Sequence, residues 1–198
     1  WLEHVRRAPS AVVRNAAVLV RPHTSNVDAW VGQDLSMFAP VSIWPRQRPS
    51  LPMNDLETAD YFHSLFYSHV VVGVNTSAMI EATILDRPVL TIEVPEFADT
   101  QRGTTHFKYL LPEGGGAVRG ASTFEAHLQQ LHDALEHPDA LTADRRRFVE
   151  QFVRPKGLGQ PALDVVVEAL EALPAMRRSP QADGAAWLAP FRWGLRAL

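Results

Sequence analysis

Residues 70–92 read VVVGVNTSAMIEATILDRPVLTI and carry the clearest structural pattern in the chain. The β-branched run at 70–74 predicts a buried strand, and residues 77–85 predict a helix that Asp-Arg-Pro at 86–88 brings to an end. Residues 89–92 predict the next strand. Parallel strands are joined by helical crossovers, so this order is typical of an α/β sheet.

The rest of the chain continues the alternation. Strands are predicted at 17–21 and 41–44 and from Ala117, and helices at 57–67, 77–85, 105–111, 122–136, 143–153 and 161–173. The fourth of these helices would begin with a capping box formed by Ser122 and Glu125. Short buried strands with helices between them predict a Rossmann-like, doubly wound parallel sheet. We expect one domain over residues 1–174 and a C-terminal tail over 175–198, where the composition changes.

Composition narrows the classes of protein. The chain has 198 residues, a formal net charge of −3 and no cysteine. Disulfides, cysteine-ligated zinc and a cysteine nucleophile are therefore excluded, and nucleic acid is not expected as the main partner. The run Arg145-Arg146-Arg147 is interpreted as a solvated helix face. No P-loop, dinucleotide fingerprint or GxSxG elbow occurs in the sequence.

The beginning of the chain carries an expectation of its own. Trp1 stands in what looks like the middle of a helix, so we expect further sequence, an N-terminal domain or a partner chain, to complete the protein. No apolar run reaches the roughly 18 residues that span a bilayer. We expect a cytoplasmic protein, and the aromatic, basic tail from Trp187 could contact the inner face of a membrane, another domain or its own core.

The turn after residues 70–74 is the strongest candidate site. Ligands of open parallel sheets bind beyond the carboxyl ends of the strands. Asn75, Thr76 and Ser77 precede a helix whose first N–H groups favour an anion, and Glu81 lies one turn further on the same face, where it could accept hydrogen bonds from ribose hydroxyls. The simpler alternative is that Thr76 or Ser77 caps the helix and Glu81 is solvated.

A second candidate follows the strand at 17–21. Arg21 and His23, on either side of Pro22, could contact a diphosphate or the transferred group, and they are our candidate catalytic residues. A structural role for the histidine is the alternative. Both residues would lie at the same sheet edge as Asn75, because each follows a strand.

Two later loops add candidates for nucleotide binding. Thr104, Thr105 and His106 lead into a predicted helix after the strand at 89–92, and capping by the threonines is the alternative. Arg154, between two late helices, could fold back over the ligand, or with Pro155 it could merely separate the helices.

These motifs together resemble a known class of domain. The motifs are RPH at 21–23, TSAMIEA at 76–82 followed by RPVL at 87–90, and TTHF at 104–107. They are similar to the C-terminal domain of GT-B fold glycosyltransferases, particularly bacterial surface-carbohydrate and glycerophosphotransferase-like members. The resemblance covers residues 17–173. The chain departs from the family pattern at Thr24, where a His-Pro motif would have proline, and at Asp86, where glycine is common.

The resemblance implies a function. Thr76 and Ser77 would meet the diphosphate of a nucleotide-activated donor, Glu81 its ribose, and His23 would lie near the diphosphate. A sugar or polyol-phosphate would be transferred from a nucleotide-sugar or nucleotide-polyol, without a metal or other cofactor. The alternatives are a sugar-nucleotide epimerase of the same fold and a non-catalytic nucleotide-binding module.

Overall fold

The computed structural model describes residues 1–95, residue 104 and residues 106–173. The chain divides into two compact units, one spanning Trp1–Val153 and the other beginning at Arg154. Every described strand belongs to the first unit.

Strands and helices alternate along the first unit. The strands are β1 (Val18–Val20), β2 (Val41–Ile43), β3 (Val71–Val72), β4 (Val89–Ile92) and β5 (Val118–Ala121). The α-helices are α1 (Leu2–Arg6), α2 (Ala11–Asn15), α3 (Val27–Val31), α4 (Asp55–Phe66), α5 (Ala78–Ile84), α6 (Phe124–Glu136) and α7 (Thr142–Phe148), and α8 (Ala162–Ala172) lies in the second unit. Short 3-10 helices cover Thr24–Asn26, Ser36–Phe38, His106–Tyr109 and Pro112–Gly114, and a π-helical segment covers Val149–Val153.

The described strands are all parallel, which confirms the predicted α/β class. They pair as two short sheets, β1–β2 and β3–β4–β5, with β4 in the centre of the second. Strand β3 is shorter than the predicted 70–74. The pairing ends beyond Gly73, whose N–H donates to the Leu90 carbonyl, because Asn75 then turns the chain with a positive φ of 43°.

Helices cover both faces of the three-stranded sheet. Neighbouring residues of β4 point to opposite sides: Val89 packs with Met79 of α5 and Phe148 of α7, and Leu90 packs in a second cluster. That second cluster contains Val13 of α2 and Leu131 of α6. Every residue of β4 is buried, as expected for a parallel strand covered on both sides.

Local interactions shift two of the predicted helix starts. Helix α6 is capped by Thr123, whose hydroxyl accepts from the Ala126 N–H, so the predicted box at Ser122 was wrong by one residue. A complete capping box, not predicted, opens α4, where Asn54 accepts from the Glu57 N–H and the Glu57 carboxylate accepts from the Asn54 N–H. This box fixes the start of the helix that borders the candidate site.

The interpretation of Arg145 as part of a solvated face was wrong. Its side chain is 3 % exposed, and its Nε donates to Oδ1 of Asp86 at 2.5 Å. Its Nη2 donates to the Pro138 carbonyl and to the Thr142 hydroxyl, each at 2.9 Å. Arg146 and Arg147 are exposed, as the helix pattern predicted. Arg145 therefore ties α7 to the turn that leads into β4.

Candidate functional site

The turn between β3 and α5 brings together two of the predicted nucleotide-binding residues. Nδ2 of Asn75 donates to the hydroxyl of Thr104 at 2.9 Å, across 29 positions of sequence. Asn75 adopts a left-handed backbone conformation, which asparagine tolerates better than most residues. Just before it, a Cβ on Gly73 would lie 2.6 Å from Cγ of Met79, so glycine permits the close approach of strand and helix.

The start of α5 shows the capping role that was the alternative for Thr76. The Thr76 hydroxyl accepts from the Ala78 N–H at 3.1 Å. Ser77 is the N-cap residue but makes no side-chain capping bond, and both side chains are exposed. The helix has seven residues. The Ser77 hydroxyl is therefore exposed and makes no capping hydrogen bond.

Glu81 and Arg21 meet at a residue that the sequence did not single out. The hydroxyl of Tyr61 donates to Oε2 of Glu81, and the guanidinium carbon of Arg21 lies 5.3 Å from the centroid of the Tyr61 ring. At this distance a cation is attracted by the face of an aromatic ring. Arg21 directly follows β1, and Glu81 lies in α5, which follows β3. The two predicted sites therefore meet although they follow strands of different sheets.

Helix α4 holds Tyr61 in this position. Tyr61 and Leu65 are four residues apart and lie on the same face of the helix. Leu65 is buried in the core cluster that contains Met79, and Tyr61 packs at the edge of that cluster. The spacing of Tyr61 from Leu65 was the sequence signal that could have identified it.

Burial and neighbouring charges shift the pKa values of Tyr61 and Arg21. Burial raises the pKa of the Tyr61 hydroxyl, and its hydrogen bond to Glu81 and the charge of that carboxylate raise it further, against a smaller opposite effect of Arg21. The phenol therefore remains a donor at neutral pH. Burial lowers the pKa of the Arg21 guanidinium, and Asp60 and Tyr61 act in the opposite direction.

The guanidinium of Arg21 has unused hydrogen-bonding capacity. Its Nη1 is buried, and it has no hydrogen-bond partner among the described residues. Asp60, the residue before Tyr61, accepts a hydrogen bond from Nε1 of Trp44, which follows β2. The carboxyl ends of β1 and β2 thus supply a cation and an indole to the same surface of α4. A cation beside a carboxylate suits a ligand that carries both an anion and hydroxyl groups.

Among the described residues, no hydrogen bond or ring contact joins His23 or His106 to the cluster of Arg21, Tyr61 and Glu81. His23 is exposed, and its Nδ1 contacts the Ser25 hydroxyl at 2.7 Å and accepts from the Ser25 N–H, so it caps the 3-10 helix that follows. His106 is exposed at the start of another 3-10 helix. Arg154 belongs to the second unit, where its Nη1 donates to the Gln160 carbonyl at 3.1 Å. Thr105 lies outside the described residues.

Two cavities lie elsewhere in the first unit. The smaller cavity, of about 220 Å³, is lined by residues at the start of β4 and by residues of α6 and α7. The larger cavity, of about 680 Å³, is lined by Phe107, Lys108 and Arg119 among others. Neither is lined by Arg21, Asn75 or Glu81. These two cavities are therefore separate from the cluster of Arg21, Tyr61 and Glu81.

Comparison of the chain with protein-family models, with curated proteins and with solved structures gives no match.

Within residues 1–95, 104 and 106–173, no group of three or more histidine, aspartate and glutamate side chains is placed to hold a metal ion. In the same part of the chain, the helices are too short or too polar to cross a membrane.

Proposed function

We propose that this chain is the donor-binding half of a GT-B type glycosyltransferase, which transfers a sugar or polyol-phosphate from a nucleoside diphosphate. The observation that carries the proposal is the convergence of Arg21 and Glu81 on Tyr61. Two residues that the sequence analysis assigned to the same ligand come from separate segments and share one partner.

Each group has a role in binding the donor. The guanidinium of Arg21 would donate to the diphosphate, because it has several donors in a fixed plane that suits phosphate oxygens. In the transition state it would stabilise the negative charge that develops on the leaving diphosphate. Glu81 would accept from ribose hydroxyls through Oε1, while Tyr61 holds Oε2.

Helices on both faces of β3–β4–β5 support a Rossmann-like architecture for this half, since Val89 and Leu90 pack into separate helical layers. The turn of Asn75 and Thr104, which precedes α5, would border the same ligand. Activation of the acceptor would fall to a second domain or a partner chain.

A non-catalytic nucleotide-binding module is the second candidate. One observation favours it: His23, our candidate catalytic histidine, makes its described hydrogen bonds to its own neighbour Ser25. A histidine so engaged acts as a local cap. The donor site would be the same in both cases, and turnover with an acceptor would separate them.

The donor site is tested by a thermal-shift screen of the chain against UDP, GDP, CDP, ADP and dTDP. A ligand that binds only the folded state at about 100 times its Kd adds about 2.7 kcal/mol, which in a domain of this size raises Tm by roughly 5–10 °C. We expect one nucleotide to give such a shift and Glu81→Ala to abolish it. The matched control is Glu136→Ala, an exposed glutamate at the end of α6, which should keep the shift.

Absence of a shift with all five nucleotides at millimolar concentration would contradict donor binding by this chain. An equal shift in wild type and Glu81→Ala would leave a nucleotide site but remove Glu81 from it.

A further inference from the structure

Helix α8 exposes a continuous apolar face. Its members are spaced three or four residues apart and are 43–72 % exposed: Leu163, Val166, Val167, Leu170 and, just beyond the helix, Leu173. We call these five residues the α8 stripe. Val165, which points away from the stripe, is the one residue of α8 that is half-buried. A helix with such a face normally buries it against a partner.

The charges beside the stripe restrict the partner. Asp164, Glu168 and Glu171 are the charged residues of α8, and the helix contains no lysine, arginine or histidine. Interfacial helices that lie on anionic membranes are typically basic, so this face does not suit a membrane. A second copy of α8 would place acidic residues against acidic residues, which is unfavourable.

The chain itself contains a segment of complementary chemistry. Residues 187–198 read WLAPFRWGLRAL, with arginines at 192 and 196 and no acidic residue. Leu188, Phe191 and Leu195 supply apolar side chains at intervals of three and four residues. The arginines are four apart, and Asp164 and Glu168 are separated by the same interval.

The connection between the two segments is long enough. Residues 174–186 separate Leu173 from Trp187, and they reach about 40 Å when extended, at roughly 3.3 Å per residue. Helix α8 has 11 residues and is about 16 Å long, at 1.5 Å per residue. Residues 187–198 can therefore return along the whole length of the helix.

We propose that residues 187–198 of this chain dock on the α8 stripe. The apolar residues of the tail cover the stripe, and Arg192 and Arg196 pair with the acidic residues beside it. The inference is independent of the proposed function, because it rests on the second unit alone.

Engineered cysteines test the docking without interference, because the chain has no cysteine. Val167→Cys with Phe191→Cys is treated with a short bis-maleimide at micromolar protein concentration, and the products are separated by mass. The matched control is Ala172→Cys with Phe191→Cys, since Ala172 is also exposed but lies about 140° from Val167 around the helix. Circular dichroism and thermal melting of both variants check that they are folded.

We expect the Val167 pair to give an intramolecular cross-link in at least about tenfold higher yield than the Ala172 pair, because docking raises the local concentration of one thiol near the other to the order of millimolar. Arg192→Glu with Arg196→Glu should reduce that yield, and adding Asp164→Lys with Glu168→Lys should restore it.

Three outcomes would overturn the proposal. Equal yields from the two pairs would mean that the tail does not select the stripe. Intermolecular dimers of the Val167 pair would indicate that a second copy covers it. A low yield in both, with co-sedimentation of the chain on anionic phospholipid vesicles, would assign the tail to the membrane.

Discussion

The hydroxyl of Tyr61 donates to Oε2 of Glu81, and the ring of the same tyrosine supports the guanidinium of Arg21. A carboxylate of α5 and a cation that follows β1 are thus held in place by one side chain of α4. A site whose polar groups are already oriented binds its ligand at a lower entropic cost. Substitution of Tyr61 should therefore affect both the Glu81 carboxylate and the Arg21 guanidinium.

Tyr61→Phe should lower the free energy of unfolding by about 1–2 kcal/mol, since hydrogen bonds to charged groups contribute about 1.5–3 kcal/mol and this one is partly exposed. The ring remains, so the contact with Arg21 is kept. Tyr61→Leu removes both interactions and should cost about 0.5–1 kcal/mol more. Urea unfolding of the two variants measures the difference, and equal losses would mean that Arg21 gains nothing from the ring.

Asn75 combines a strained backbone with a hydrogen bond to Thr104, and two substitutions separate them. Both variants lose the side-chain bond, but Asn75→Gly also removes the Cβ at a φ of 43°, whereas Asn75→Ala keeps a Cβ there. We expect the alanine variant to be less stable than the glycine variant by about 1 kcal/mol, because the left-handed region costs an L-residue roughly that much. Denaturant unfolding measures the order, and a more stable alanine variant would contradict the strain.

The ion pair of Asp86 with buried Arg145 should be the most costly polar contact to break. Asp86→Asn would leave the guanidinium without a negative partner and should destabilise the domain by about 2–3 kcal/mol, less than for a fully buried pair because Asp86 is about half-exposed. In Arg145→Met the methionine fills the buried space, and adding Asp86→Asn to it should then cost little. A double-mutant cycle in urea measures the coupling, and a coupling near zero would contradict the role of Arg145 as a structural cation.

His127 predicts a pH dependence of stability. Its ring is fully buried, and its Nε2 accepts from Nε1 of Trp1 at 2.9 Å, so the neutral ring carries its proton on Nδ1. Burial lowers the pKa of His127 to about 4. Protonation of Nε2 would break the bond with Trp1.

The sign of the pH effect follows from the lowered pKa. Between pH 6.5 and pH 4 the unfolded state binds a proton at His127 that the folded state does not. The stability contributed by His127 is therefore complete above pH 6.5 and is lost as the pH falls, by roughly 3 kcal/mol at most. His127→Gln, which does not titrate, should have a shallower slope of unfolding free energy against pH, and identical slopes would contradict the assignment.

The local sequence predicted most of the elements around the site. Strand β4 has the predicted bounds of 89–92, and α5 lies within the predicted 77–85, because a β-branched run and a helix ended by Asp-Arg-Pro are determined by neighbours in sequence. The turn at Asn75 is also determined by local sequence, because asparagine tolerates a positive φ better than most residues. The cap of α6 at Thr123 was missed by one residue, which is the usual precision of helix ends.

Only the tertiary structure determined which distant side chains contact each other. Tyr61 meets Glu81 and Arg21 because α4 packs its Leu65 face on the core beside α5, and no pattern within α4 specifies which helix it will contact. Arg145 has the same sequence context as its exposed neighbours, but it is buried because α7 turns that position toward Asp86. The sequence by itself determined where strands, turns and helices form, since these depend on local periodicity and backbone preference. The meeting of distant side chains depends on burial and charge in the assembled core, which only the folded chain defines.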